Sequence, residues 1–127
     1  MEISGKFDVK MSPQPHEGGP DAPGRMLLDK RYHGALDATG SGQMLARMTA
    51  TPGSAGYVAM ELVSGSLDGK SGSFTLQHSG TMTRGVPSLS VTVVPDSGTE
   101  ALQGLSGTMK IRIEAGEHFY DFDYSLP

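Results

Sequence analysis

The chain has no cysteine, no tryptophan and no asparagine. Without cysteine it forms no disulfide, offers no thiolate nucleophile and builds no Cys-ligated zinc centre. Without asparagine it carries no N-glycosylation sequon. Aromatic residues are scarce, four Tyr and four Phe in 127 residues, so a core must lean on Val, Leu, Ile and Met. Clustered cations are missing too. The ten Lys and Arg are scattered singly apart from Lys30-Arg31, and the formal net charge is −4. Phosphate recognition needs grouped cations, so neither nucleic acid nor an anionic membrane surface is expected as a partner. No apolar run approaches a membrane span, and Met1 to Phe7 holds no apolar stretch of the signal-peptide kind. A soluble, cytoplasmic protein is the expectation.

Demanding catalytic motifs are also missing. No serine sits in Gly-x-Ser-x-Gly, the strained turn that presents a hydroxyl nucleophile. Gly69-Lys70-Ser71 has the last three letters of a phosphate-binding loop, but the position that needs the first glycine is Ser64. No dinucleotide fingerprint occurs, and no βαβ unit would hold one.

What is present is period-two alternation, punctuated by 18 glycines and eight prolines. Phe7, Val9 and Met11 alternate with Lys6, Asp8 and Lys10, a half-buried strand. Residues 12–24 hold four prolines and read as a surface loop. Strands are expected over 25–36, over 38–51 with a bulge at Gly40-Ser41-Gly42, over 57–67 and over 73–81. Asp68-Gly69 joins the last two as a tight hairpin, because both residues tolerate positive φ. Leu89 to Val94 is short and β-branched. Residues 105–114 and 117–126 form a final hairpin around Ala115-Gly116. Ser97 and Glu100 have capping-box spacing, which predicts one helical turn near 99–103 before Gly104. Seven or eight strands with no helical layer leave a sandwich or a barrel. Long alternating strands on short turns favour a single all-β domain, residues 1–127, closed as an eight-stranded antiparallel up-and-down barrel.

Several segments sharpen that expectation: Leu28-Asp-Lys-Arg-Tyr-His-Gly34, Ala55-Gly-Tyr-Val-Ala-Met-Glu61, Gly72 to Met82, Val93 to Thr99 and Leu102-Gln-Gly-Leu-Ser-Gly107. Together they resemble a bacterial family of small proteins of unknown function whose members are similar in fold to allene oxide cyclase and dirigent proteins. The resemblance spans nearly the whole chain. It implies the barrel and no agreed activity, and no residue matches an allene oxide cyclase active site.

The candidate site follows from which faces turn inward. On the last strand alternation sets His118, Tyr120, Phe122 and Tyr124 against Glu117, Phe119, Asp121 and Asp123. The aromatic set is expected to line the barrel, the acidic set to face water. Tyr57, Ala59, Glu61 and Val63 are expected to line it elsewhere. On the 73–81 strand the pattern leaves open whether Phe74, Leu76 and His78 or Thr75 and Gln77 point inward. A buried Glu61 has a raised pKa unless it is paired, with Arg31, Gln77 or a tyrosine hydroxyl as the available partners. The ligand-binding candidates are therefore Glu61, Gln77, His78, Tyr57, Tyr120, His118 and Tyr32. No two of the histidines His16, His33, His78 and His118 have metal-pair spacing, so no metal and no cofactor is expected. Eight methionines recur mostly on strands, as core filler or as an adaptable pocket wall.

Three functions fit these residues. One is a module binding a small apolar ligand inside the barrel. Another is a cyclase or isomerase using Glu61 or His78 as acid/base. The last is a non-catalytic homo-oligomer associating through Val58, Met60, Leu62, Val91 and Val93.

Overall fold

A computed structural model describes residues 1–15, 18–19 and 21–127. His16 lies outside them. Eight strands run in chain order: β1 Glu2–Gln14, β2 Gly24–Tyr32, β3 Leu36–Met48, β4 Ala55–Leu67, β5 Lys70–Thr83, β6 Val86–Val93, β7 Ser106–Glu114 and β8 Glu117–Ser125. Each pairs antiparallel with the next, and β1 pairs with β8, so the sheet closes into an up-and-down barrel. Among the described residues no helix is long and apolar enough to cross a membrane.

Turn chemistry explains the tight hairpins. Asp68-Gly69 and Ala115-Gly116 both adopt positive φ, 49° with 81° and 51° with 79°, as two-residue turns between right-twisted strands require. Arg84-Gly85 does the same between β5 and β6 without an Asp or Asn to advertise it. The other joints differ from the sequence expectation in places. β1 continues through Pro13 to Gln14, so the loop is shorter than 12–24. No bulge interrupts β3, whose register with β4 runs unbroken through Gly40 and Gly42. The capping box does not form. Thr99 precedes a 3-10 turn over Glu100–Leu102 with no side-chain cap. Ser97 and Thr99 instead tie the β6–β7 connection to β5. Ser97 Oγ accepts from Thr75 N at 3.1 Å, and Thr99 Oγ1 accepts from Ser73 N at 3.0 Å.

Register settles the faces. Phe74, Leu76 and His78 point inward and Gln77 outward, because Leu76 pairs with buried Glu61 while Gln77 pairs with exposed Met60. Val91 and Val93 also point inward and are buried, which removes them from any outer interface. The filled half of the barrel holds Tyr32, Leu36, Val63, Leu67, Phe74, Leu76, Leu102, Leu105 and Phe122. Phe74 and Phe122 stack at 5.9 Å, and Tyr32 meets Tyr120 edge-on at 5.7 Å.

The opposite half is looser. β6 and β7 pair at only two positions, Val91↔Met109 and Thr92↔Thr108. Beyond them Pro87 and Leu89 on one side and Ile111 and Ile113 on the other lie on the inner face with no ladder between them. Proline at the parted edge fits its missing N–H donor.

Candidate functional site

The site starts from three inward-facing strands. Alternation on β2 sends Leu28, Lys30 and Tyr32 to the interior. β4 sends Tyr57, Ala59, Glu61 and Val63, and β5 sends Leu76 and His78. Glu61 is fully enclosed, at 0% exposure. Its carboxylate accepts three hydrogen bonds: from Lys30 Nζ at 3.0 Å, from His78 Nε2 at 2.9 Å and from the Tyr32 hydroxyl at 2.5 Å. An ionised carboxylate only accepts, so His78 carries its hydrogen on Nε2. The Lys30 ammonium also lies 5.1 Å from the centre of the Phe7 ring, a cation–π contact that eases its burial.

Room for this carboxylate comes from β3. A methyl group at Gly40 would come within 2.2 Å of Glu61 Oε2, so the acid lies against bare backbone there. Gly40 therefore serves space, not a bulge. The electrostatics follow from the contacts. Burial alone would raise the Glu61 pKa. The hydrogen bonds from His78 and Tyr32 and the charge of Lys30 outweigh it and hold the carboxyl below its usual range. Burial, reinforced by the Glu61 charge, pushes the Tyr32 phenol up. The Tyr57 phenol is raised for the same two reasons.

Tyr57 stands two inward positions nearer the parted end than Glu61. Its ring lies over Gly80 of β5, where a methyl group would come within 2.4 Å of Cε1. Beyond it opens a recess of about 410 Å³, lined by Met44, Met48, Tyr57, Met82, Leu89, Ile111 and Ile113 among others, with Arg47 at its edge. Its wall is nearly all apolar. Glu61, Lys30 and His78 are not part of it.

The sequence candidates thus separate. Glu61, His78 and Tyr32 converge. Tyr57 lines the recess. Tyr120 faces inward but works on the wall, donating to the His33 carbonyl at 2.8 Å and accepting from Leu36 N at 3.3 Å. His118 packs on Phe7 at 5.3 Å, away from Glu61. Gln77 lies outside the barrel, on a second depression of about 520 Å³ with Leu45, Val58 and Met60. Lys30 was missed. Arg31, the partner considered for Glu61, points outward and pairs with Asp37. A lysine alternating with Leu28 and Tyr32 was the available signal. Among the described residues no three His, Asp or Glu side chains group as a metal site.

A family model described as a protein of unknown function, DUF3224, matches residues 3–124, and the chain belongs to that family. A crystal structure of a DUF3224 protein of unknown function from Shewanella oneidensis MR-1 is 50% identical in sequence. It aligns over 100% of this chain and 97% of the other, with a TM-score of 0.95. No curated protein matches the sequence.

Proposed function

We propose that the barrel binds one small, mostly apolar molecule in the recess beside the parted β6–β7 seam. One observation carries this reading: an inward-facing apolar hollow of about 410 Å³ in a barrel whose other half is filled. Barrels of eight strands are just wide enough for such a ligand. The resemblance to allene oxide cyclase-like and dirigent-like barrels supports an interior apolar site by analogy of fold and transfers no chemistry. The acid/base reading has less support. It asked for a carboxyl held above its usual range, and Glu61 is held below it, enclosed and saturated by three donors.

Fluorescence titration with the neutral dye Nile red tests the reading. Saturable binding is expected, lost in Leu89→Glu and Ile113→Glu, which put a charge on the recess wall, and kept in Leu62→Glu on the outer face. Binding that survives both inner substitutions, or no binding by the unmodified chain, overturns it. Native mass spectrometry of gently purified protein supplies the mass of any resident ligand.

Self-association is a second reading with its own support. Leu27, Leu45, Val58, Met60 and Leu62 form an exposed apolar strip on the outer face of β2–β4. Their cross-strand neighbours Ser41, Gln43, Thr75, Gln77 and Ser79 are uncharged, as in the centre of a protein interface, and Arg25, opposite Leu45, is the one charged neighbour. Light scattering should then give more than a monomer mass, reduced to a monomer by Met60→Glu. A monomer at every concentration would end this reading.

A further inference from the structure

The methionines are unevenly placed. Of the eight, register turns six inward: Met109 in the filled part of the barrel, and Met11, Met26, Met44, Met48 and Met82 in its looser half. Met44, Met48 and Met82 line the recess. Thioethers adapt to irregular apolar ligands, but they are also the oxidisable sulfurs of a chain without cysteine. We infer that the recess rim is a peroxide-sensitive modification site: oxidation of Met48 and Met82, then Met44, closes it to apolar ligands. The inference deepens the ligand-binding reading and rests on it.

The chemistry balances with a hydroperoxide as co-reactant. The thioether sulfur attacks one peroxide oxygen and the O–O bond breaks. Sulfur gives up two electrons and keeps that oxygen as the sulfoxide, and the other oxygen leaves as water, or as an alcohol from an organic hydroperoxide. Access sets the order. Met48 is 81% exposed and Met82 42%, whereas Met109, in the filled part of the barrel, is 4% exposed. Each sulfoxide oxygen is a strong acceptor. In the empty recess water solvates it. Beneath an apolar ligand it must give up that water, and the lining offers few donors to replace it. Binding is therefore expected to weaken about tenfold or more. Met60, 50% exposed on the outer face, oxidises without consequence for the recess.

The test compares Nile red affinity before and after hydrogen peroxide, with peptide mass mapping of each methionine. Oxidised unmodified chain should lose about tenfold or more. The triple variant Met44→Leu, Met48→Leu, Met82→Leu should keep its affinity through the same treatment, and Met60→Leu should lose it like the parent. Bound dye should also slow oxidation at Met82 and leave Met60 unaffected, a readout that needs no variant. Unchanged affinity with Met48 and Met82 shown oxidised overturns the inference, as does equal loss in the triple variant. Dye that protects Met60 and Met82 alike does so too. Absence of binding before any peroxide is the separate result that removes the ligand-binding reading beneath it.

Discussion

Replacing Lys30 by methionine takes away the ammonium that neutralises Glu61 and keeps much of the lysine's volume. The two charges lie 3.0 Å apart, which at an effective dielectric of 20 is a gross attraction of about 5 kcal/mol. Desolvation of two buried ions offsets most of that, so the intact pair contributes little net stability. The asymmetry lies in the single variants. Lys30→Met strands a carboxylate at 0% exposure, and Glu61→Gln strands a buried ammonium. Each should cost about 3–5 kcal/mol. For a chain of 127 residues that lowers Tm by roughly 10–20 °C. The double variant Lys30→Met, Glu61→Gln removes both charges and keeps an amide oxygen for Tyr32 and His78. It should cost less than either single change, giving a coupling of about 3 kcal/mol or more. Guanidinium unfolding at neutral pH, with the m-value checked for constancy, measures all four corners. The pH dependence supplies a second arm. In the unmodified chain the folded Glu61 pKa lies below the ordinary 4.5, so the unfolded state takes up the proton first and stability falls as pH drops below about 4.5. In Lys30→Met the cation's share of that lowering is lost while the bonds from His78 and Tyr32 remain, so the folded pKa moves upward and the loss of stability in acid shrinks. Additive single and double costs, or an acid profile unchanged by Lys30→Met, would refute the reasoning.

Gly40→Ala should destabilise by about 1–3 kcal/mol, because its methyl group would meet Glu61 Oε2 at 2.2 Å and displace a carboxylate pinned by three donors. In a Glu61→Ala background the same change should cost much less, a comparison that denaturation resolves. Gly80→Ala should move the Tyr57 ring, whose Cε1 would lie 2.4 Å from the new methyl group, toward the recess that both residues line. Nile red affinity should fall while Tm changes little, and Tyr57→Ala added to it should restore binding. Tyr120→Phe removes a hydroxyl that joins His33 O and Leu36 N across the wall, and thermal unfolding should show a loss of about 1–2 kcal/mol.

The barrel was legible because its signals are local. Alternation of Tyr57, Ala59, Glu61 and Val63 names an inner face from one strand, and Asp68-Gly69 names a hairpin from two residues. What local signals miss is anything decided between strands. The inner face of β5 could not be chosen until Glu61 was seen opposite Leu76. Gly40 and Gly42 looked like a bulge because glycine weakens a strand, and the neighbour that needed the space sits on β4. Arg84-Gly85 makes the same two-residue turn of positive φ, but with no alternating strand read on its β5 side beyond residue 81 it did not stand out as a hairpin.

The candidate site divides along the same line. Glu61, Tyr32 and His78 were individually suggestive, yet their meeting reverses the role that burial alone implied. A lone buried glutamate is an acid held protonated; one facing Lys30 is an anion at neutral pH. The cluster is thus best understood as a polar brace between β2, β4 and β5 in the part of the barrel where these strands must hold register. The open recess lies on the other side of Tyr57, where β6 and β7 separate after two pairs. Bracing one half lets the other stay under-filled without slipping, since a one-residue shift of β4 would drive Glu61 outward and Met60 inward. In that arrangement the charged residues that first invited a catalytic reading hold the strands in register, and the wall of the hollow is mainly methionine, isoleucine, leucine and Tyr57.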